Sequence, residues 1–214
     1  MNWPAQDRWE RLMQKAGATG PTSAWYDRLT KAYAEPQRHY HNQEHIAECL
    51  EEFDRIRHEA KEPQAVELAL WFHDAIYDPK GGNNEELSAE LASQCLRECG
   101  IPHPFQDRIA RLILVTKNHE TGADADAKIM IDVDLSILGR DERRFNQYEE
   151  QIRQEYAWVT PEIFGSKRAE ILERFLAREH VFSTDWFRRR FEKQARKNLD
   201  ASIRKLKQMA QLLL

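Results

Sequence analysis

An all-α fold is what this sequence predicts, and three observations predict it. Apolar residues recur at helical spacing along nearly the whole chain, no pair of runs gives a convincing hairpin signal, and 214 residues contain only 8 Gly and 8 Pro. So few turn formers leave little room for an all-β architecture or for long disordered stretches. The chain is long enough for one sizeable core. No linker, internal repeat or low-complexity stretch divides it. The expectation is a single-domain bundle of about nine or ten helices.

The elements follow in order. Trp9, Leu12, Met13 and Ala16 form an apolar stripe that stops at Gly17. A second helix starts near Thr22, carries Trp25, Tyr26, Leu29 and Tyr33, and ends at Pro36, which has no N–H with which to continue it. A third runs from about Asn42 with Ile46, Cys49, Leu50, Phe53 and Ile56 on one face. Pro63 suits the first position of a fourth, which holds Val66, Leu68, Ala69, Trp71 and Phe72. Asp78-Pro79-Lys80-Gly81-Gly82-Asn83 reads as a loop.

A fifth helix, about 84–99, opens on Glu85 and Glu86, whose charge suits the positive end of the helix dipole, and is closed by Gly100 and Pro102. The sixth follows Pro104 and carries Phe105, Ile109, Leu112, Ile113 and Val115. Ile129-Met130-Ile131-Asp132-Val133-Asp134-Leu135 alternates as a short strand would, but its helical surroundings assign it to a helix. Three more helices fit 141–158, 161–178 and 184–213. The last turns Phe187, Phe191, Ala195, Ile203, Leu206 and Leu213 inward.

Composition narrows the function classes. A net charge of -4 gives no global attraction to nucleic acid or to an anionic membrane. No apolar run reaches the length of a membrane span, and Met1-Asn2-Trp3-Pro4-Ala5-Gln6-Asp7 has no signal-peptide pattern, so the chain reads as cytoplasmic. Three cysteines, Cys49, Cys95 and Cys99, do not make a disulfide framework, and Cys95 and Cys99 read as packing. The segment from Ser183 carries nine Lys or Arg against three acids, including Arg188-Arg189-Arg190. Its apolar stripe marks that basic face as solvated, and a nucleic-acid partner is not expected.

Chemistry concentrates in the first two thirds of the chain. The apolar run Ala69-Leu70-Trp71-Phe72 ends in His73-Asp74. Asp is rarely buried unless paired or bound to a metal, and a divalent cation shared with the imidazole would neutralise it. His41 and His45 are four residues apart, so on a helix they would project from one face. Asp132 and Asp134 offer a later carboxylate in an apolar segment. Two imidazoles and two carboxylates suit a borderline or hard divalent ion such as Mn, Fe, Zn, Ni, Co or Mg, with positions left open for water and substrate.

His45, then His73-Asp74, then a distant Asp resembles the H…HD…D pattern of the HD superfamily of metal-dependent phosphohydrolases, over about residues 38–139. Tyr40-His41-Asn42 and Asp134-Leu135-Ser136 look like segments of cyclic-nucleotide phosphodiesterases. Arg38-His39-Tyr40-His41-Asn42, the segment from Trp71 to Asp78, Asn84-Glu85-Glu86-Leu87-Ser88-Ala89 and the segment from Asp132 to Gly139 are closer still to a bacterial group of predicted HD phosphohydrolases. The resemblance implies the HD-domain fold, with helical extensions packed on its core. It also implies His45, His73, Asp74 and Asp134 as metal ligands, with Asp132 the rival for the last position, and His41 as the acid that protonates the leaving oxygen. Asp78 stands where the phosphodiesterase signature has a second histidine, so cyclic-nucleotide hydrolysis is not implied.

Glu85 or Glu86 would position the attacking water, as an acidic residue in this neighbourhood does in related enzymes. Lys117 and His119 would reach the phosphate, or His119 a second metal. The expected activity is hydrolysis of a phosphomonoester or phosphodiester of a small nucleotide-like metabolite. Two alternatives remain: a di-iron oxygenase of the HD type, for which His103 and His119 are the only extra histidines, and a non-catalytic nucleotide-binding HD module.

Overall fold

The computed structural model describes residues 4–120 and 122–212, with side-chain surroundings described as far as residue 208. Every regular element among the described residues is helical. Two compact units divide the chain, one up to Asp134 and one from Leu135.

The first unit comprises α1 (Gln6–Lys15), α2 (Thr22–Ala32), α3 (Gln43–Ile56), α4 (Pro63–Phe72), α5 (Asn84–Glu98), α6 (His103–Leu114) and α7 (Ala125–Asp134). Its centre is α4, buried from Ala65 to Phe72 because apolar residues occupy nearly every position, and it packs against α1, α3, α5, α6 and α7. Trp71 meets Trp9 edge-on at 5.3 Å between ring centroids, and Phe72 lies 6.0 Å from the same ring. Residues 129–134 are helix, as their surroundings predicted, and the stripe Trp9, Leu12 and Met13 is buried.

Local chemistry sets most boundaries. Asn42 caps α3 by accepting the Glu44 N–H at 2.8 Å. Pro63 stands in the first turn of α4. Gly100, with φ 74°, ends α5 in a left-handed turn whose N–H bonds back to Arg97 O while Ile101 N–H reaches Leu96 O. At α6 the sequence expectation needs correction. The helix begins at His103, with Pro102 as its cap and Pro104 in the first turn, where a missing N–H costs nothing.

The second unit opens with a 3-10 turn, Leu135–Gly139, followed by α8 (Glu142–Glu155) and α9 (Pro161–Leu176), both shorter than predicted. The last predicted helix is three pieces: α10 (Asp185–Phe187), a π turn (Arg188–Glu192) and α11 (Lys193–Leu212). Phe187, Phe191, Ala195 and Ile203 are buried, and Leu206 is half-buried. Leu213 lies outside the described residues.

The π turn packs closely on Gly139. A Cβ on Gly139 would lie 2.9 Å from Phe191 O and 3.0 Å from Phe191 Cα, so the two backbones meet where only glycine fits. Gly139→Ala should destabilise the protein by about 1–3 kcal/mol, the usual cost of forcing a methyl into a filled core. Thermal melting would test this, and an unchanged Tm would show that the contact is loose.

Candidate metal centre

Three elements of the first unit deliver donor atoms to one point. His45 stands in the first turn of α3, three residues after its cap. His73 and Asp74 follow α4, whose end is held by the Tyr33 hydroxyl donating to Trp71 O at 3.0 Å. Asp134 is the last residue of α7. The His73 Nδ1–H donates to Leu70 O at 3.0 Å, which leaves Nε2 with its lone pair turned to the cluster.

The convergence is tight. His45 Nε2 and His73 Nε2 are 3.1 Å apart. Asp74 Oδ2 lies 3.3 Å from His45 Nε2 and 3.1 Å from His73 Nε2. Asp134 Oδ1 lies 3.4 and 3.5 Å from the same two nitrogens. Ligand bonds of about 2.0–2.2 Å around one small divalent ion place neighbouring donors on the order of 3.0–3.5 Å apart, so the donor set fits such an ion. Both histidines are buried, at 2% and 1% exposure.

Cys49, which the sequence places only on the core face of α3, belongs to the same neighbourhood. His45, Cys49, His73 and Asp134 each offer a donor atom within 4.8 Å of the others and could hold a metal ion. The sulfur stands 3.7 Å from His45 Nδ1 and 3.8 Å from Nε2. Nearly equal distances put it beside the ring. A sulfur sharing an ion on Nε2 would stand farther from Nδ1 than from Nε2. The i, i+4 spacing from His45 was the only sequence signal for this contact.

The charges support one another. Burial works against the His73 imidazolium, but the Asp74 and Asp134 carboxylates outweigh it and hold its pKa well above the ordinary value. His45 is likewise raised against its burial, by Cys49, Tyr40, Asp134 and Asp74. Burial would raise Asp74, but His73 and His45, with a further contribution from His41, draw it well below the carboxylate range. Asp134 is lowered against its burial by His119, His45 and His73.

The remaining predicted residues are placed as follows. Asp132 is fully buried, two residues and so about 200° round α7 from Asp134. His119 reaches the other oxygen of Asp134, with Nε2 3.5 Å from Oδ2. Its backbone has φ 53°, a left-handed conformation costly for a residue with a Cβ, and its N–H closes the end of the α6 run on Val115 O. His103 stands apart at the start of α6, paired with Asp107 at 3.1 Å and with 80% of its side chain exposed.

His41 precedes the Asn42 cap and is not part of α3, contrary to the shared helix face the spacing suggested. Its ring stacks on Tyr77 at 4.2 Å and lies 6.0 Å from the His45 ring, so turn geometry achieves the proximity that helical spacing was expected to provide. Glu86 and Lys117 form an ion pair, and Lys117 also donates to Gly82 O at 3.0 Å. The Lys117 bond draws the Glu86 carboxyl below its ordinary value. Glu85 is half-buried in the first turn of α5. Arg38 and Tyr77 lie inside the motif segments without a role assigned from sequence, and both touch the His41 segment.

No family model matches the chain, and no curated protein or solved structure matches it either. No helix among the described residues is long and apolar enough to cross a membrane.

Proposed function

We propose that this protein is a metal-dependent phosphohydrolase of the HD type that acts on a small phosphorylated, nucleotide-like metabolite. The observation that carries the reading is the meeting of two imidazole nitrogens and two carboxylate oxygens from three separate elements, at spacings of 3.1 to 3.5 Å. In this reading His45, His73, Asp74 and Asp134 hold the ion, Cys49 packs beside it, and the ion-binding set agrees with the H…HD…D order of the sequence. Four protein donors would leave positions for water and a substrate oxygen on an ion that prefers octahedral coordination, such as Mn or Mg. When bound, a divalent ion there supplies Lewis acidity and lowers the pKa of water.

The chain's own groups do the rest. His41 protonates the oxygen that leaves phosphorus, from a turn beside the ligands. His119 holds Asp134 in register through its second oxygen. Lys117, currently shared between Glu86 and a loop carbonyl, supplies positive charge for phosphoryl oxygens, and Glu85 or Glu86 orients the water. Elemental analysis of the purified protein, followed by a phosphatase and phosphodiesterase screen with each candidate metal, tests the reading. One ion per chain with metal-dependent hydrolysis of a phosphomonoester or phosphodiester supports it. Two irons with an oxidation-dependent spectrum would replace it with the oxygenase alternative, and nucleotide binding without turnover in any metal would leave only a binding module.

A further inference from the structure

We infer that Arg38 is a positioning residue, one that sets where His41 stands relative to the metal ligands. The inference rests on the proposed metal centre and deepens it. Arg38 is 5% exposed, and its guanidinium uses nearly all its donors on fixed acceptors. Nη1 donates to His41 O at 3.0 Å and to Asp74 O at 2.6 Å. Nη2 donates to Ala75 O at 2.9 Å, and Nε pairs with Glu35 at 2.9 Å. One buried side chain therefore ties the turn that carries His41 to the segment that carries Asp74.

The tie reaches the His41 ring as well as its backbone. The guanidinium lies 5.6 Å from the Tyr77 ring, and Tyr77 is the ring on which His41 stacks at 4.2 Å. The carbonyls of Asp74 and Ala75 come just after the end of α4, where helix geometry supplies no partners and a cation is favoured. Lysine cannot replace this clamp, because an ammonium lacks the rigid planar fork that holds several acceptors at set angles. His41 depends on the clamp in a way that three of the ligands do not, while Asp74 shares it through its carbonyl. His45 and Asp134 belong to α3 and α7, and His73 is oriented by Leu70 O within the α4 run. His41 lies outside any helix, and Arg38 and Tyr77 hold it together with the edge-on ring of Tyr40 at 5.0 Å.

The test uses the full chain loaded with Co2+, whose unpaired electrons relax nearby protons steeply with distance. NMR of the His41 ring protons then reads the distance from His41 to the ion without any substrate. In Arg38→Lys, Co2+ should still bind at one ion per chain while the relaxation enhancement at His41 falls. Turnover should fall about 10²-fold, the usual cost of a 1 Å misplacement of a reacting group. His41→Ala should cost little more in the Arg38→Lys background than the lysine alone, because the two act as one unit.

Tyr77→Leu releases the ring while leaving the carbonyl bonds intact, and should also reduce the His41 signal. It keeps the test open if Arg38→Lys fails to fold. An unchanged His41 enhancement in the folded variants, or losses from Arg38→Lys and His41→Ala that multiply independently, would overturn the inference. Co2+ binding without phosphoester turnover would sink the proposed chemistry alone, since the His41 signal would still judge the clamp. Failure of the unaltered protein to bind Co2+ would remove the metal reading and the inference with it.

Discussion

Purified His73→Ala and Asp74→Ala proteins should carry no stoichiometric metal and show no detectable phosphoester hydrolysis, while keeping their helical circular dichroism. The donor atoms of both residues sit within 3.1 to 3.3 Å of another cluster donor, so either substitution opens the set at its centre. His119→Ala should act more mildly. Its ring touches the far oxygen of Asp134, and loss of such an outer partner typically costs about 10–100-fold in metal affinity or activity. Cys49→Ala should keep its metal, because the sulfur flanks the His45 ring and does not oppose Nε2. Elemental analysis of the four proteins decides between the ligand sets. A metal-free Cys49→Ala beside a metal-loaded Asp74→Ala would assign the sulfur as ligand and the Asp74 carboxylate as bystander.

The second large effect is a pH dependence that the metal should reverse. His45 and His73 are raised above their ordinary pKa in the folded protein. Their contribution to stability is therefore full below the unfolded value of about 6.5 and is lost as pH rises through the folded values. Asp74 and Asp134 are lowered, so their contribution is present above about 3.9 and is lost only as pH falls through the folded values. The metal-free protein should thus melt at progressively lower temperature as pH is raised from about 6 to about 9, because folding must then take back the protons that the unfolded histidines have released. A divalent ion takes the place of those protons and binds more tightly as pH rises. At a free concentration a thousandfold above Kd it adds about 4.1 kcal/mol, which is on the order of 10 °C for a chain of this size. Calorimetry at both pH values, with metal and after chelation, checks this. A metal-free Tm that rises with pH, or a melting curve indifferent to every divalent ion, would contradict it.

Local spacing made most of the helices legible. Trp9, Leu12 and Met13, or Ile46, Leu50 and Phe53, lie one helical turn apart, and burial of such a stripe needs no knowledge of its partner. Pro63, Asn42 and Gly100 act within their own turn, and the ends they predict are where the chain turns. Two details depart from what helical spacing alone suggests. The helix expected over 184–213 runs over 185–212 but contains a π turn, in which Phe191 meets the backbone of Gly139, about fifty residues earlier in the chain. The i, i+4 spacing of His41 and His45 suggests a shared helix face, but α3 starts after its Asn42 cap and His41 stands in the turn before it.

The same division runs through the candidate site. Sequence alone determined an all-helical chain and a short list of imidazoles and carboxylates in a set order, because helical periodicity and residue chemistry are local properties. Which carboxylate of the pair Asp132 and Asp134 meets the histidines was decided by the rotation of α7 against α3 and α4, since positions two apart on a helix face different ways. The contacts of Cys49, His119 and Arg38 were likewise decided only in three dimensions. Each depends on where a second element passes, and packing of the whole unit sets that path.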